Sequence, residues 1–280
     1  MIADPLDFGE LDRLLPAKRR LAREWQWLRC CESTQDRLKA RAFAEPGSQL
    51  DGFLLGTEEQ IGGRGRKARD WWSGPAGANL SLSLALSPPP DPPEVLSLLA
   101  AVALADVLEA WTSSTVALKW PNDLLIAGAK VAGLLVEVPA SGSYQPATAV
   151  LGLGLNVRAS PPPQTSPYAC SDLRSHSLRQ PKRTRILASW LWRLEFRLLQ
   201  YQRGDAKALE SRFLQLLRRW APTGVRAPTL KPPDPGGPLV EFSVSQGLSW
   251  GQKDQLQTRP MGWIPELEVL PPPANNRPPA

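Results

Sequence analysis

The residues best suited to chemistry lie in one glycine- and arginine-rich stretch, residues 60–72 (QIGGRGRKARDWW). Positions 62–69 alone hold three glycines and four cationic side chains. Arginine forks pair with phosphate and carboxylate oxygens, and glycine lets a backbone approach a ligand closely. A hairpin connection needs only about two to five residues. A loop of this length and charge therefore predicts an anion-binding site.

Further polar residues stand at the ends of apolar runs later in the chain. Residues 119–123 (KWPND) end one run, Lys130 opens the next, and Asn156 lies in a run that glycine interrupts twice. Glycine inside a strand often marks the close approach of a ligand or of another backbone. A turn explains Asp123 as well as chemistry does. Lys130 could equally be an ordinary surface lysine.

A third candidate is the pair Ser33 and Thr34, which comes just before a helical pattern at residues 37–42. Serine or threonine in this position predicts a helix N-cap. A capped helix start also points hydroxyl and N–H groups at one spot, which suits a polar ligand. On these residues alone, the cap is the simpler interpretation.

The elements that must position these residues follow from the apolar patterns. Short strands are predicted at residues 53–57 and 80–86, on either side of the basic loop. Residues 95–108 are apolar on nearly every side and predict a helix buried against a sheet. Further strands are predicted at residues 116–120, 124–126, 131–138 and 150–157, a loop at 161–181, and helices at 186–201 and 206–220. The pattern indicates an α+β fold, a mixed β-sheet covered by helices on one face.

Four segments are expected along the chain. Residues 1–28 form a short N-terminal extension with one helix, and residues 29–221 form the main α+β domain. Residues 222–270 form a small C-terminal β segment, in which prolines leave strands only at 239–244 and 264–270. Residues 271–280 are expected to be a disordered proline-rich tail.

Composition narrows the function classes for this chain of 280 residues. A net charge of +6 suits anionic partners such as nucleotides, an acidic protein or nucleic acid. Three cysteines without a pairing or CxxC pattern point to a reducing cytoplasm, and a single histidine, His176, makes zinc sites and histidine triads improbable. No run of about 18 apolar residues exists, so neither a membrane span nor a signal peptide is expected.

In their order and spacing, the motifs between residues 29 and 160 resemble those of one family, the biotin protein ligases, also called biotin–[acetyl-CoA-carboxylase] ligases. The family pattern has Ser-Thr followed by Asn or Gln, a GRGR loop ending in Arg and Trp, and KWPND. A Lys-x-x-Gly segment and a Gly-x-Gly-x-Asn strand complete it, and all five motifs are present here. KWPND is the most specific single match.

The resemblance implies a biotin/lipoate ligase-like catalytic fold and a two-step reaction. Biotin and Mg²⁺-bound ATP would give biotinyl-5′-AMP and pyrophosphate, and biotin would then pass to a lysine of a biotin carboxyl carrier protein. By analogy, Arg66 holds the adenylate, Lys130 reaches the carboxylate–phosphate junction, and Asp123 orients or deprotonates the carrier lysine. A free lysine has a pKa of about 10.4, so the second step needs such a group.

The same resemblance assigns the remaining site residues. The catalytic residues are Arg66, Lys130 and Asp123. The biotin-binding residues are Ser33, Thr34, Gln60, Gly63, Arg64, Arg66, Lys130, Gly133 and Leu135. The ATP- and adenylate-binding residues are Arg64, Arg66, Arg69, Trp71, Asn122, Lys130 and Asn156. No side-chain cluster for a metal is expected, and Mg²⁺ comes with ATP.

Some features depart from the family pattern. Ala68 stands where glycine is usual, and Gln35 replaces the commoner asparagine. The C-terminal segment lacks the regular hairpins of the SH3-like barrel that is common in the family, so a degraded barrel and a divergent segment both stay open. No helix-turn-helix precedes the motifs, so no DNA binding is expected. A homodimer is compatible with the family.

Three other functions are weighed against biotin ligation. A lipoate–protein ligase shares the fold and the adenylate chemistry but uses different sequences in place of KWPND and the GRGR loop. A nucleic-acid binder would account for the charge and the tryptophans, although the basic residues form no single stripe. An inactive ligand-binding relative would result if Ala68 or the unusual tail prevented turnover.

Overall fold

The protein is built on a seven-stranded mixed sheet. The computed structural model describes residues 4–44, 47–139, 147–166, 168–230, 233–252 and 255–272. The sheet has the strand order β1-β2-β3-β7-β6-β5-β4, in which β1 pairs parallel with β2 and every other pair is antiparallel. Its strands are β1 (Trp25–Cys31), β2 (Leu54–Gln60), β3 (Leu80–Leu86), β4 (Val116–Lys119), β5 (Asp123–Ile126), β6 (Ala129–Glu137) and β7 (Ala149–Leu155). The mixed sheet confirms the predicted fold class.

Five α-helices accompany this sheet within the described residues. They are α1 (Phe8–Leu14), α2 (Thr34–Ala44), α3 (Val95–Glu109), α4 (Arg183–Gln202) and α5 (Lys207–Trp220). Helix α3 is buried along nearly its whole length because it lies between the sheet and α4. The helices predicted at residues 95–108, 186–201 and 206–220 are therefore confirmed with small shifts at their ends.

Strand β3 shows how the sequence pattern divides the sheet into two faces. Its leucines alternate with small residues, and every position is buried. Alternation places Leu80, Leu82, Leu84 and Leu86 on the α3 side, where they join the main core. Ala85 joins a second cluster on the other side, together with Leu38 and Ala42 of α2. The expectation of helices on one face is wrong, since α2 covers the opposite face.

The N-terminal residues contribute to the main fold. The predicted helix is present as α1, and Leu11, Leu15 and Leu21 are buried in the main core. Strand β1 runs across residue 28, where the sequence analysis places the start of the catalytic domain. The strand was not expected, because its mixture of tryptophans, charges and cysteines has no clean alternation. The division of the chain into domains stays a prediction.

Two small antiparallel sheets follow α5. Strands β9 (Leu239–Ser243), β10 (Gly247–Trp250) and β11 (Gln257–Arg259) form one, and β8 (Val225–Arg226) pairs with β12 (Glu268–Val269) in the other. These strands are consistent with a small SH3-like β unit. The strand predicted at residues 239–244 is present as β9. Of the strand predicted at residues 264–270, only the two residues of β12 are present. Of the tail predicted to be disordered, residues 273–280 lie outside the described residues.

Candidate active site

The predicted site residues converge on one cleft of about 800 Å³ above the sheet. Its wall is made by the basic loop after β2, the start of α2, the turn between β4 and β5, and parts of β6 and β7. The predicted residues that line it are Ser33, Thr34, Gln60, Arg64, Arg66, Arg69, Trp71, Asn122, Asp123, Lys130, Gly133, Leu135 and Asn156. Gly63 stands just behind the wall. Residues far apart in the sequence therefore share one concave surface, as a ligand site requires.

The basic loop is folded back on itself by backbone hydrogen bonds. The amide of Trp71 donates to the carbonyl of Gly63 at 2.8 Å, and the amide of Gly65 donates to Arg69 at 2.7 Å. A Cβ at Gly63 would meet Gln60 Nε2 and Trp71 O, each at 2.5 Å. The close approach explains why glycine is needed here. The result is a compact loop whose cations line the cleft.

One end of the cleft is lined by hydrogen-bonding side chains. The amide and hydroxyl of Thr34 donate to Gln60 Oε1 at 2.8 and 3.2 Å. The same hydroxyl lies 3.0 Å from Ser83 Oγ, which donates to Gln35 Oε1 at 3.0 Å. Ser33 accepts from the amide of Asp36 at 3.2 Å, which confirms the predicted N-cap. This end can therefore recognise a compact polar group.

A carboxylate that the sequence analysis missed fixes this polar end. Glu137 accepts from Gln35 Nε2 at 3.0 Å and from Lys39 Nζ at 2.7 Å. Burial alone would raise the pKa of Glu137, but these two hydrogen bonds outweigh it and hold the pKa below its ordinary value. Glu137 is therefore ionised near neutral pH and orients the amide of Gln35. Its position at the end of an apolar strand offered no signal of this role.

The centre of the cleft holds an ion pair and a neighbouring arginine. Lys130 Nζ lies 2.8 Å from Asp123 Oδ1, and also 5.5 Å from the centre of the Trp71 ring. Burial lowers the pKa of Arg66, and the nearby Asp123 opposes that shift. An arginine starts from so high a pKa that it stays charged. Two cations and one carboxylate thus lie close together at the centre of the cleft.

The glycines of β7 make room for the side chains above them. A Cβ at Gly154 would meet atoms of the Trp71 ring at 2.2 Å, and one at Gly152 would meet Gln35 Oε1 at 2.7 Å. Gly133 on β6 lies opposite Gly154, and a Cβ there would lie 3.3 Å from the Trp71 ring, a looser fit. The glycines of this strand were predicted to mark the approach of a ligand or of another backbone. In the structure, the groups that approach them are the side chains of Trp71 and Gln35.

The two predicted asparagines differ in their hydrogen bonding. The amide of Asn122 donates to the carbonyl of Leu134, so this side chain holds the turn against β6. Asn156 Nδ2 donates to the carbonyl of Ser171 at 3.0 Å, but its buried Oδ1 has no hydrogen-bond partner among the residues that the structure describes. A buried acceptor without a donor is costly. The Oδ1 atom of Asn156 is therefore available to a ligand with an N–H group.

The outer wall of the cleft contains residues that the sequence analysis did not single out. Arg69 Nη1 donates to the hydroxyl of Tyr168 at 2.9 Å, and Lys119 Nζ lies 4.1 Å from the centre of the same ring. Pro265, Glu266 and the following residues come from the C-terminal segment and complete the wall. Tyr168 lies in a predicted loop, and Pro265 and Glu266 lie in a short predicted strand, so no local signal identified these three as residues of a site.

Within the part of the chain that the structure describes, no group of three His, Cys, Asp or Glu side chains could hold a metal ion. None of the described helices is both long and apolar enough to cross a membrane.

The chain is similar to known proteins over most of its first half. The sequence model of the biotin/lipoate A/B protein ligase family matches residues 27–156. The biotin–[acetyl-CoA-carboxylase] ligase of Mycobacterium tuberculosis is 38% identical over 179 residues, which cover 62% of this chain and 63% of that protein. The Paracoccus denitrificans protein of the same name is 35% identical over 166 residues, 56% of this chain and 68% of that protein. The match thus spans less than two thirds of the first relative.

The fold is also that of a solved structure. The biotin protein ligase from Aquifex aeolicus in complex with biotin and ATP matches with a TM-score of 0.67 and 23% sequence identity. The match covers 84% of this chain and 95% of that chain. At this identity the comparison shows a common fold.

Proposed function

This chain belongs to the biotin/lipoate A/B protein ligase family, and from that premise we propose that it is an ATP-dependent biotin protein ligase. It would activate biotin as biotinyl-5′-AMP and then transfer it to a lysine of a biotin carboxyl carrier protein. The observation that carries the proposal is the single cleft in which Arg66, Lys130 and Asp123 lie together, next to a pocket of hydrogen-bonding side chains. The names of the two relatives above support the same reaction.

In the first step, a carboxylate oxygen of biotin attacks the α-phosphorus of ATP, and pyrophosphate leaves. Two anions must approach each other, so cations have to offset their repulsion and the charge that builds up on phosphorus. Arg66 and Lys130 both line the cleft near Asp123 and would supply this positive charge. Mg²⁺ enters bound to the phosphates of ATP, since magnesium usually keeps water and phosphate ligands and needs few protein carboxylates.

In the second step, the neutral amine of the carrier lysine attacks the acyl carbon of the adenylate, and AMP leaves. The amine must lose its proton, and Asp123, which lines the cleft beside Lys130, is the residue to which we assign its orientation or deprotonation. In the free protein, Asp123 is paired with Lys130 at 2.8 Å. Once Lys130 turns toward the phosphate, the Asp123 carboxylate is released for the incoming amine.

The polar end of the cleft favours biotin over lipoate. The ureido ring of biotin has two N–H donors and a carbonyl, whereas the dithiolane ring of lipoate has no hydrogen-bond donor. Thr34, Gln60 and Ser83 form a connected set of polar groups there. A ureido ring can add hydrogen bonds to this set, whereas a dithiolane ring would remove water from these polar groups without replacing its hydrogen bonds, which costs binding free energy.

The nucleotide side is assigned to Trp71, Arg69 and Asn156. The buried Asn156 Oδ1 without a partner suits the exocyclic amine of adenine. Trp71 supplies an apolar ring at the wall of the cleft. That the protein is cytoplasmic, and that it can form a homodimer, remain predictions from the sequence.

The test is release of pyrophosphate by the purified chain with Mg²⁺-ATP and either biotin or lipoate. Release with biotin alone is expected. Lys130→Ala should lower the rate by at least about 100-fold, roughly 2.7 kcal/mol of transition-state stabilisation. Lys207→Ala, on the exposed start of α5, is the control for removing one positive charge.

Transfer is tested separately by following labelled biotin into a purified carrier domain. Pyrophosphate release with lipoate alone would overturn the proposal in favour of lipoate ligation. A folded protein that released none with either acid would be a binding relative without turnover.

A further inference from the structure

A carboxylate from the C-terminal unit reaches into the mouth of the cleft. Residues 265–269 line the cleft although they lie about 200 positions from the basic loop in sequence. Trp120 Nε1 donates to the carbonyl of Ile264 at 2.9 Å, which holds the segment against the KWPND turn. Glu266 therefore has a defined position beside the basic loop.

Glu266 faces cations that come from separate elements. Its Oε2 lies 3.1 Å from Lys67 Nζ at the tip of the basic loop. The hydrogen bond from Lys67 holds the pKa of Glu266 below its ordinary value, and the charges of Arg69 and Lys119 add to this effect. Arg69 and Lys119 are themselves joined through Tyr168, which accepts from one and lies beneath the other.

These three cations form the kind of cluster that polyphosphate requires. ATP carries several negative charges on its β- and γ-phosphates. Cations other than those at the α-phosphate are needed to offset these charges. Lys67, Arg69 and Lys119 line the same cleft as Arg66 and Lys130, toward its mouth. Glu266 pairs with Lys67 of this cluster at 3.1 Å, and the charges of Arg69 and Lys119 also act on its carboxylate.

We propose that Glu266 is an internal stand-in for a phosphate group, occupying the cluster of Lys67, Arg69 and Lys119 until the polyphosphate of the nucleotide displaces it. The inference rests on the proposed function in that the incoming anion is the polyphosphate of ATP. Glu266 would thus weaken nucleotide and pyrophosphate binding. Its removal should strengthen both.

The expected change is modest because the pair is accessible to solvent. The side chains of Lys67 and Glu266 are 46% and 47% exposed. Ion pairs at such positions are worth little individually. A gain of about two- to five-fold in affinity is therefore expected on removing the charge of Glu266.

Titration calorimetry with inorganic pyrophosphate tests this without any turnover. Glu266→Gln should bind pyrophosphate about two- to five-fold more tightly than the unmodified chain. Glu241→Gln is the matched control, because Glu241 is exposed on β9 of the same C-terminal unit and lies outside the lining of the cleft. It should leave the affinity unchanged. Lys67→Gln should weaken binding, since it removes a cation.

Salt provides a second criterion. The difference between the unmodified chain and Glu266→Gln should shrink as ionic strength rises toward about 1 M, where the screening length is about 3 Å. Unchanged or weaker pyrophosphate binding by Glu266→Gln would overturn the proposal. The proposal would also be overturned if neither the unmodified chain nor any of the variants bound pyrophosphate. A chain that failed to activate biotin but showed the gain would retain this inference and lose only the proposed reaction.

Discussion

Because Gly154 has no side chain, the residues at the centre of the cleft can pack closely against β7. The Trp71 ring lies directly over this glycine, and Lys130 lies beside the same ring. Lys130 in turn pairs with Asp123. The position of the ion pair therefore depends on how closely the indole can approach β7.

Substitution Gly154→Ala should displace the Trp71 ring, because the new Cβ would lie 2.2 Å from it. Overpacking of this kind costs about 1–3 kcal/mol. Urea unfolding should show that loss, and the KM for ATP in pyrophosphate release should rise.

The control for this change is Gly262→Ala. A Cβ there would find no neighbour closer than Glu94 Oε1 at 4.0 Å. Equal effects of the two substitutions would show that the crowding at Gly154 is not what positions Trp71.

At the scale of elements, the start of α4 joins the N-terminal segment to the sheet. The guanidinium of Arg183 is completely buried and lies 2.8 Å from Glu58 of β2. It also donates to the carbonyls of Asp4 and Asn79, and the Arg183 amide donates to the Asp4 carboxylate at 3.0 Å. One side chain thus connects α4, β2 and the residues before α1.

Substitution Arg183→Leu should destabilise the protein by about 3–5 kcal/mol, because Glu58 would keep a buried charge without its partner. The free energy of unfolding in urea measures this. Arg185→Leu is the control on the same helix, since Arg185 is 63% exposed and pairs with Glu10 at the surface. A loss below about 1 kcal/mol is expected there. Similar losses for both variants would contradict a special role for the buried pair.

At the scale of the whole molecule, the C-terminal β unit is attached to the catalytic sheet through aromatic side chains. Phe213 of α5 packs against Trp120 on one side and against Phe242 of β9 on the other, at 6.2 and 4.7 Å between ring centres. The indole of Trp120 also donates to Ile264. The KWPND motif therefore has a structural task beside its place in the cleft.

Substitution Trp120→Phe should loosen the C-terminal unit, because it removes the buried donor to Ile264 and leaves that carbonyl without a partner, at a cost of about 1–3 kcal/mol. Limited proteolysis with trypsin should then cut faster after Arg226 of β8, which is followed by Ala227. The control is Trp263→Phe, the same chemical change at a side chain that is 73% exposed. Trypsin should cut this variant at the same rate as the unmodified chain. Equal cutting of both variants would rule out this attachment.

The sequence by itself determined the parts whose cause is local. Strand β3 and helix α3 follow from the period of their apolar residues, and the N-cap at Ser33 follows from one side chain beside one helix. The basic loop and KWPND were recognisable for the same reason, since glycine, proline and charge act within a few residues.

Only the tertiary structure decided which distant residues meet. No local pattern showed which side of the sheet α2 covers, or that strand β1 exists. Nor did any show the contacts made by Glu137, Arg183 and Glu266. The ion pair between Lys67 and Glu266 joins residues 199 positions apart. Such a contact depends on how the sheet and the C-terminal unit pack, and packing is a property of the folded chain that no short stretch of sequence contains.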